Sequence, residues 1–326
     1  MRHVPAMVQR TSSPCRARFP SVTSSMPQTA PQASSGRRRP RIDVVVPFAG
    51  TQDELEQLLA GLDRLELLPE DTVTVVDNRR RPAEPAVRGR TRVLTAPERR
   101  SSYFARNRGV EGRTGEWIVM LDADVLPPPD LLDRFFDPAP AERTAVVAGR
   151  LIDSGPHPGE CATAAIRWGL HRSTMSQHNT LAGPWGYAQT ASCAVRRAAF
   201  NEVGGFREDI RSGGDADLCY RLRAAGWSIE SREGAASVHA SRRTLRRLVR
   251  QRLRHGSGAA WLNREYPGSA PGHGSWPGLV KWTFQCTARS ALASLRGRRE
   301  EALIAAVDLI VMWATELGRL LPNRVQ

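Results

Sequence analysis

Short, mostly apolar runs rich in β-branched residues alternate with helical segments between residues 42 and 125. IDVVVPF begins at Ile42, and its β-branched character is typical of a parallel strand buried on both faces. Residues 53–68 follow with leucines at helical spacing, and TVTVVDN at 72–78 again resembles a strand. This strand, helix, strand order predicts a right-handed βαβ unit, and therefore an α/β fold with a doubly wound, mostly parallel sheet and flanking helices.

A second round of strand, helix and strand ends in EWIVMLDADV at 116–125. Parallel strands end at one edge of a sheet, and in open α/β sheets ligands bind in the crevice at that edge. Pro47, Asp77 and Asp122 occupy the predicted carboxyl ends of three strands. We therefore predict a binding site around these three residues.

The second half of the chain has a looser pattern. VVAGRLID at 146–153 predicts a strand, and DADLCYRLRAAG predicts a helix with Asp215 and Asp217 in its first turn. The mostly apolar stretch 302–314 carries Asp308 and is shorter than the roughly 20 residues of a membrane-spanning helix, so it predicts a packed or interfacial helix.

Positive charge is concentrated in two stretches. The net charge is +14, yet residues 1–41 hold eight arginines and no acid, and residues 241–299 hold thirteen Lys or Arg against Glu265 alone. Residues 1–41, rich in Ser, Pro, Arg and Ala, are predicted to form a disordered basic leader. The second stretch suggests peripheral contact with an anionic membrane.

The five cysteines are scattered and form no CxxC pair. This spacing indicates neither a disulfide framework nor a zinc site. We therefore expect a reducing, cytoplasmic setting, at most peripheral to the inner face of a membrane.

Two carboxylates two positions apart, Asp122 and Asp124, follow an apolar strand. They can present oxygens to a hard divalent cation, although the tripeptide alone is equally compatible with a solvated turn. Asp77 at a neighbouring strand end and Arg106 in ARNRGV add a carboxylate for a nucleobase and a cation for phosphate. Together they describe a pocket for a nucleoside diphosphate.

Seven segments in order complete the pattern: VVVPFAG, VVDN, ARNRGV, LDADV, VGGFRED, GGDADLCYRL and RQRLRHG. From Ile42 to Trp261 the chain resembles the family 2 glycosyltransferases of the GT-A fold. The resemblance implies a glycosyltransferase domain at 42–262 and a helical C-terminal extension at 263–326.

The resemblance also implies roles for individual residues. Asp215 is the expected catalytic base, and Asp122 and Asp124 are expected to hold Mg²⁺ or Mn²⁺. His239 is at a position from which the family can supply a third ligand, and the alternative is a packed or hydrogen-bonded histidine. The remaining residues implied at the nucleotide are Asp77 at the base, Arg106 and Asn107 beside it, and Arg252 and Arg254 over the diphosphate. For the arginines of this basic helix, the alternative is a solvated basic face.

One position departs from the family pattern. Gly214-Asp215 stands where the family usually has Glu-Asp. Two residues later, Asp217 and Arg221 are one helical turn apart, which favours a structural pair.

The implied activity is transfer of a sugar from a UDP- or GDP-sugar to a hydroxyl of a carbohydrate or lipid-linked acceptor, in cell-envelope polysaccharide synthesis. We expect inversion with one carboxylate base, and a divalent cation that screens the departing diphosphate. The missing acid before Asp215 leaves open a sugar-nucleotide binder without turnover. Nucleic-acid binding through the basic ends is disfavoured because aromatic residues make up only 6% and no nucleic-acid-binding motif occurs.

Overall fold

The fold comes from a computed structural model that describes residues 39–82, 84–156 and 159–325. The predicted leader at 1–41 therefore lies almost entirely outside the described residues. At its end, Arg39 donates to the carboxylate of Asp71, with 2.6 Å between Nη2 and Oδ2.

The described strands form one nine-stranded sheet in the order β3-β4-β2-β1-β5-β8-β7-β9-β6. In chain order they are β1 (Ile42–Phe48), β2 (Thr72–Asp77), β3 (Ala86–Arg88), β4 (Thr91–Thr95), β5 (Trp117–Leu121), β6 (Val125–Leu126), β7 (Thr144–Asp153), β8 (Ser192–Arg196) and β9 (Ser228–His239). The predicted parallel arrangement is confirmed for the block β4-β2-β1-β5. The sheet as a whole is mixed, because β8 runs antiparallel to both β5 and β7.

Ten helices lie in the described residues: α1 (Gln52–Leu62), α2 (Ser102–Val110), α3 (Leu131–Arg134), α4 (Ala164–Arg172), α5 (Gln177–Leu181), α6 (Arg197–Glu202), α7 (Gly214–Ala224), α8 (Leu245–Glu265), α9 (Trp276–Leu295) and α10 (Arg299–Arg319). Thr51 and Glu54 form a capping box that fixes the start of α1. This helix ends at Leu62, earlier than the leucine pattern predicts, and the chain then turns to bury Leu65.

Helices cover both faces of the sheet, as the apolar strands predict. Along β1, Val44 and Val46 face a core that includes α1 and α3, whereas Val45 faces the core built with α2, α6 and α7. Consecutive side chains of a strand point to opposite faces, so a strand buried on both sides is apolar at most positions. The buried exception in β1, Asp43, accepts hydrogen bonds from Thr72, Gly115 and Arg197.

Of the two C-terminal helices, α10 packs against α4 and α8, and α9 packs against α10. The stretch 302–314 lies within α10 and buries Ile304 and Val307, which confirms a packed helix. A Cβ at Gly256 of α8 would stand 2.1 Å from a backbone oxygen of α10, so glycine is needed for these helices to approach each other. No helix of the described residues is long and apolar enough to cross a membrane.

The cysteines differ in state. Cys193, Cys219 and Cys286 are buried free thiols. Cys161 is disulfide-bonded, which the scattered spacing did not lead us to expect.

Candidate active site

The predicted strand-end residues lie at one edge of the sheet. Pro47 sits in β1 opposite Val76, and Asp77 ends β2 beside it. The fully buried Asp77 carboxylate accepts hydrogen bonds from Arg79, with 2.6 Å between Nη2 and Oδ2 and 2.9 Å between Nε and Oδ1. Arg79 in turn lies over the Phe48 ring, 5.3 Å from its centroid. An ion pair therefore occupies the position predicted to meet the nucleobase.

Arg106 connects α2 to the acidic tripeptide. Its guanidinium is buried and donates to Asp122, with 2.5 Å between Nη2 and Oδ1. Partial removal from water raises the pKa of Asp122, the Arg106 cation opposes this rise, and the charges of Asp124 and Asp215 add to it. The Nε of Arg106 has no hydrogen-bond partner within the described residues. The site thus contains a buried cation with one donor group still available.

Asp124 lies among basic groups that β9 brings to it. Strand β6 pairs with β9 so that Val125 stands opposite His239, and the His239 Nε2 lies 3.6 Å from the Asp124 Oδ2. Arg242 donates to the same oxygen over 2.6 Å. Burial alone would raise the pKa of Asp124, but hydrogen bonds and charge from His239 and Arg242 outweigh it and hold that pKa well below its usual range.

His239 is itself held between two carboxylates. Its Nδ1 lies 3.3 Å from the Asp153 Oδ1 at the end of β7. Burial lowers the pKa of His239, yet the hydrogen bonds to Asp124 and Asp153 dominate and raise it to about 9. In this arrangement the imidazole is protonated near neutral pH and acts as a cation toward Asp124.

The predicted metal ligands Asp122, Asp124 and His239 do not converge on a common point. Within the described residues, no three His, Cys, Asp or Glu side chains form a cluster able to hold a metal ion. Asp122 is turned toward Arg106, and Asp124 toward Arg242. The side chains still suit a hard divalent cation, because Asp122, Asp124 and His239 supply two carboxylates and one imidazole. The pairing of β6 with β9 brings His239 beside Asp124. Arg242 supplies the positive charge that a metal would bring.

Asp215 opens α7 and is held from the loop before β8. Thr190 donates to it twice, its hydroxyl over 2.9 Å and its backbone N–H over 3.3 Å. The residue before the helix, the N-cap Gly213, has a φ of +90°, which favours glycine. The predicted base is therefore a carboxylate in the first turn of a helix, oriented by two donors from a neighbouring loop.

The missing acid at position 214 has a steric explanation. A Cβ at Gly214 would stand 2.6 Å from the ring of Tyr103, and the Tyr103 hydroxyl accepts a hydrogen bond from the Gly214 N–H over 3.0 Å. The Tyr103 ring also stacks on Phe206, with 5.5 Å between centroids. Tyr103 thus fills the space that a longer side chain at 214 would need.

Asp217 has a structural environment, as the sequence predicts. It is fully buried and accepts from Arg221, with 2.7 Å between Nη2 and Oδ2. Tyr266 donates to its other oxygen over 2.7 Å, and the Arg207 Nε lies 3.2 Å from that oxygen. The predicted Asp217–Arg221 pair is confirmed.

The remaining predicted residues have different surroundings. Asn107 binds the loop before α7: its amide donates to Phe206 O and to Glu208, each over 2.9 Å, and its oxygen accepts from the Phe206 N–H. Arg252 lies over the Trp168 ring of α4 at 4.8 Å, and burial lowers its pKa. Arg254 is exposed. Burial raises the pKa of Tyr103, and the positive charge of Arg254 partly opposes that rise.

Sequence reasoning missed three residues that hold the site together: Thr190, Arg242 and Tyr103. Thr190 lies 25 positions from its partner Asp215, and Arg242 lies 118 positions from Asp124. No local pattern marks such pairs. Tyr103 had a local signal, because it lies in the first turn of the helix that carries ARNRGV.

The profile described as glycosyltransferase like family 2 matches residues 40–258, well over half of the chain. The chain belongs to this family. Its curated relatives include the pre-mycofactocin glycosyltransferase of Mycobacterium tuberculosis, 29% identical over 281 residues that cover 81% of this chain and 57% of the relative. The glycosyltransferase AglE of Haloferax volcanii is 28% identical over 171 residues, 51% of this chain and 53% of AglE. The family 2 chain thus spans little more than half the length of these relatives.

Among solved structures, this family 2 chain resembles the mannosyltransferase PcManGT from Pyrobaculum calidifontis, solved in complex with GDP-Man and Mn²⁺. The TM-score is 0.56 at 18% identity, over 86% of this chain and 88% of PcManGT. At this identity the likeness shows the fold, and the predicted GT-A fold is confirmed.

Proposed function

We propose that this chain transfers a sugar from a nucleoside-diphosphate donor to an acceptor hydroxyl, with inversion and with the help of a divalent cation. The observation that carries the proposal is the proximity of Asp215 to the acidic tripeptide: the Asp122 N–H donates to Ala191 O over 3.1 Å, and the neighbouring Thr190 donates to Asp215 over 2.9 Å. The charge of Asp215 acts on both Asp122 and Arg106. A base on the acceptor side and an acidic pair on the donor side are what a single displacement requires.

In the proposed reaction, Asp215 takes the proton of the acceptor hydroxyl as that oxygen attacks the anomeric carbon. The bond from this carbon to the diphosphate oxygen breaks at the same time, and its electron pair leaves with the diphosphate. Thr190 orients the Asp215 carboxylate through its hydroxyl and backbone N–H. One carboxylate suffices, because the acceptor oxygen attacks the anomeric carbon directly and no nucleophile from the protein is needed.

Asp122, Asp124 and His239 are the residues that would hold Mg²⁺ or Mn²⁺, and the bound ion would act as a Lewis acid on the diphosphate. To bind, Asp124 must exchange its contact with Arg242, and His239 must lose a proton to donate a lone pair. Arg242 is then available to a phosphate oxygen, as is the free Nε–H of Arg106.

We infer a UDP- or GDP-sugar as the donor. PcManGT, with the same fold, was solved with GDP-Man and Mn²⁺. The succinoglycan biosynthesis protein ExoA of Rhizobium meliloti, 28% identical over 67% of this chain, supports a role in polysaccharide synthesis at the cell envelope. For the acceptor we propose a carbohydrate or a lipid-linked molecule. A location at the inner face of the membrane would be compatible with a lipid-linked acceptor.

A screen of nucleotide sugars by thermal shift, with and without Mn²⁺, tests the donor assignment. A true donor raises the melting temperature increasingly with its excess over Kd, because it binds the folded state alone. Asp124→Ala should abolish the Mn²⁺-dependent part of this shift in folded protein, whereas the exposed Asp63→Ala should leave it unchanged. Unaltered Mn²⁺-dependent binding in Asp124→Ala would contradict the site assignment.

The binder without turnover is the competing function. It predicts the same thermal shifts but no slow release of nucleoside diphosphate when donor, Mn²⁺ and protein are incubated without acceptor. Release that depends on both Mn²⁺ and Asp215 would exclude this alternative.

A further inference from the structure

The crevice at the strand ends has two sides, separated by the end of β5. Arg106 and the Asp122–Asp124 pair stand at that end, and Asp215 lies toward β8, where Thr190 holds it just before that strand. The sheet order places β1 and then β2 on the other side of β5. A nucleoside whose diphosphate binds at Arg106 therefore extends toward β2, because Asp215 has to stay open to the acceptor.

The end of β2 lies within reach of such a nucleoside. It is two strands away from β5, and adjacent strands are about 4.8 Å apart, so the separation is about 10 Å, which a ribose and a base can span. The two ends are also level. Phe48 of β1 stands opposite Asp77, and Val45 of the same strand stands opposite Met120, two residues before Asp122.

The carboxylate of Asp77, at this end of β2, is covered by Arg79. The side chain of Asp77 is 0% exposed, whereas that of Arg79 is 18% exposed. Its Oδ1 accepts from the Arg79 backbone N–H over 3.1 Å and from Nε over 2.9 Å, and its Oδ2 accepts from Nη2 over 2.6 Å. A nucleobase that arrives at the end of β2 therefore meets the guanidinium of Arg79 before the carboxylate.

The guanidinium of Arg79 is held in place and keeps one nitrogen for a ligand. It lies over the Phe48 ring, 5.3 Å from the centroid, and its Nη2 donates to Gln52 of α1 over 3.2 Å. These contacts and those to Asp77 use Nε and Nη2. Within the described residues Nη1 makes no hydrogen bond, so its two N–H groups can donate to a base.

A group that only donates selects among nucleobases. Uracil and guanine present a carbonyl oxygen, O4 or O6, whereas adenine carries an amino group at the corresponding position. A guanidinium N–H that faces an amino group leaves donors unpaired, and unpaired buried donors are costly. Arg79 therefore suits a base with a carbonyl oxygen and disfavours adenine.

We propose that Arg79 contacts the nucleobase of the donor, through a carbonyl oxygen of uracil or guanine, and that Asp77 is the positioning residue that holds Arg79. The inference rests on the proposed function, because it needs a nucleoside diphosphate in the crevice. In the reverse arrangement Arg79 would leave and Asp77 would bind the base. The buried carboxylate would then lose its Nε and Nη2 donors before the base replaced them, which is costly for a buried charge.

Calorimetric titration of the full chain with UDP, GDP and ADP, in the presence of Mn²⁺, tests the assignment. The parent chain should bind UDP or GDP about tenfold more tightly than ADP, and the stronger of the two identifies the base. Arg79→Lys keeps a positive charge beside Asp77 but lacks the planar fork that holds Asp77 and reaches a base together. It should lose about tenfold in affinity for the favoured nucleotide, and with it the preference over ADP. The control Arg88→Met, at an exposed ion pair with Glu56, should change neither.

Two further measurements separate a base contact from local damage. Pyrophosphate has no base, so its Mn²⁺-dependent affinity should be equal in Arg79→Lys and the parent chain. Asp77→Asn keeps Arg79 and an oxygen acceptor for it, so this variant should retain the preference over ADP. Melting temperatures verify that each variant is folded.

The contrary results are equally specific. Unchanged affinity and preference in Arg79→Lys, an equal loss for pyrophosphate, or a preference that disappears in Asp77→Asn but persists in Arg79→Lys would overturn the role of Arg79. So would a parent chain that binds ADP as tightly as UDP and GDP. These results leave the proposed function standing, whereas a parent chain that binds none of the three nucleotides contradicts the proposed function and the inference together.

Discussion

Replacing Gly214 by alanine sets two known effects against each other. In the first turn of a helix, Gly→Ala stabilises a protein by about 0.4–1 kcal/mol, because it reduces the freedom of the unfolded chain. Here, however, the new Cβ would meet the Tyr103 ring at 2.6 Å. That ring cannot withdraw freely, since it stacks on Phe206 and its hydroxyl is bound to the Gly214 N–H. Overpacking of this kind costs about 1–3 kcal/mol.

The steric term should therefore dominate. We expect Gly214→Ala to lower the free energy of unfolding by about 1–2 kcal/mol once the entropic gain is subtracted. Gly61→Ala in α1 is the matched control, because the nearest atom to its Cβ is 4.0 Å away, and this variant should gain about 0.4–1 kcal/mol. Denaturant unfolding of both variants measures the difference.

A double-mutant cycle locates the cause. Tyr103→Ala removes the ring, so adding Gly214→Ala to that background should no longer be destabilising. If Gly214→Ala is as stable as the parent chain while Tyr103 is intact, then Tyr103 does not explain why the usual acid is missing at this position.

Two further predictions concern the buried charges. Asp217→Asn should lower the free energy of unfolding by about 2–3 kcal/mol. This loss is smaller than for a fully buried pair, because Arg221 and Arg207 are partly exposed. Denaturant titration measures it, and an unchanged midpoint would contradict the prediction. His239, whose folded pKa of about 9 exceeds its ordinary 6.5, should stabilise metal-free protein fully below about pH 6.5 and progressively less as pH rises through 9. Unfolding at several pH values should show this loss in the parent chain and not in His239→Gln.

Much of the sheet could be predicted because strands buried on both faces are rich in apolar, β-branched residues, as β1, β2 and β5 are. The edge strand β3 could not, since its three residues are all exposed and lack that signal. Helices α4 and α5 were missed as well: they are short, and Gly, Pro and His residues around them suggest a loop.

The candidate site likewise contains residues that the sequence identifies and residues that it does not. Asp122, Asp124 and Asp215 stand in segments whose local pattern identifies them. Their partners Arg242 and Thr190 are brought to them only by the pairing of distant strands and loops, which one sequence does not reveal. The conformation at Gly214 likewise depends on a contact with α2 across 111 positions.

Turnover by Asp215→Asn tests whether this carboxylate is the catalytic base. The variant keeps the shape of the side chain but cannot accept the proton of the acceptor. With the donor found by the thermal-shift screen, nucleoside-diphosphate release should fall by roughly 10²–10⁴-fold in kcat, while donor affinity stays close to that of the parent chain. Asp217→Asn should retain turnover at temperatures where it is folded. Near-normal turnover by folded Asp215→Asn, together with an inactive but folded Asp217→Asn, would contradict the account and place the base two residues later in α7.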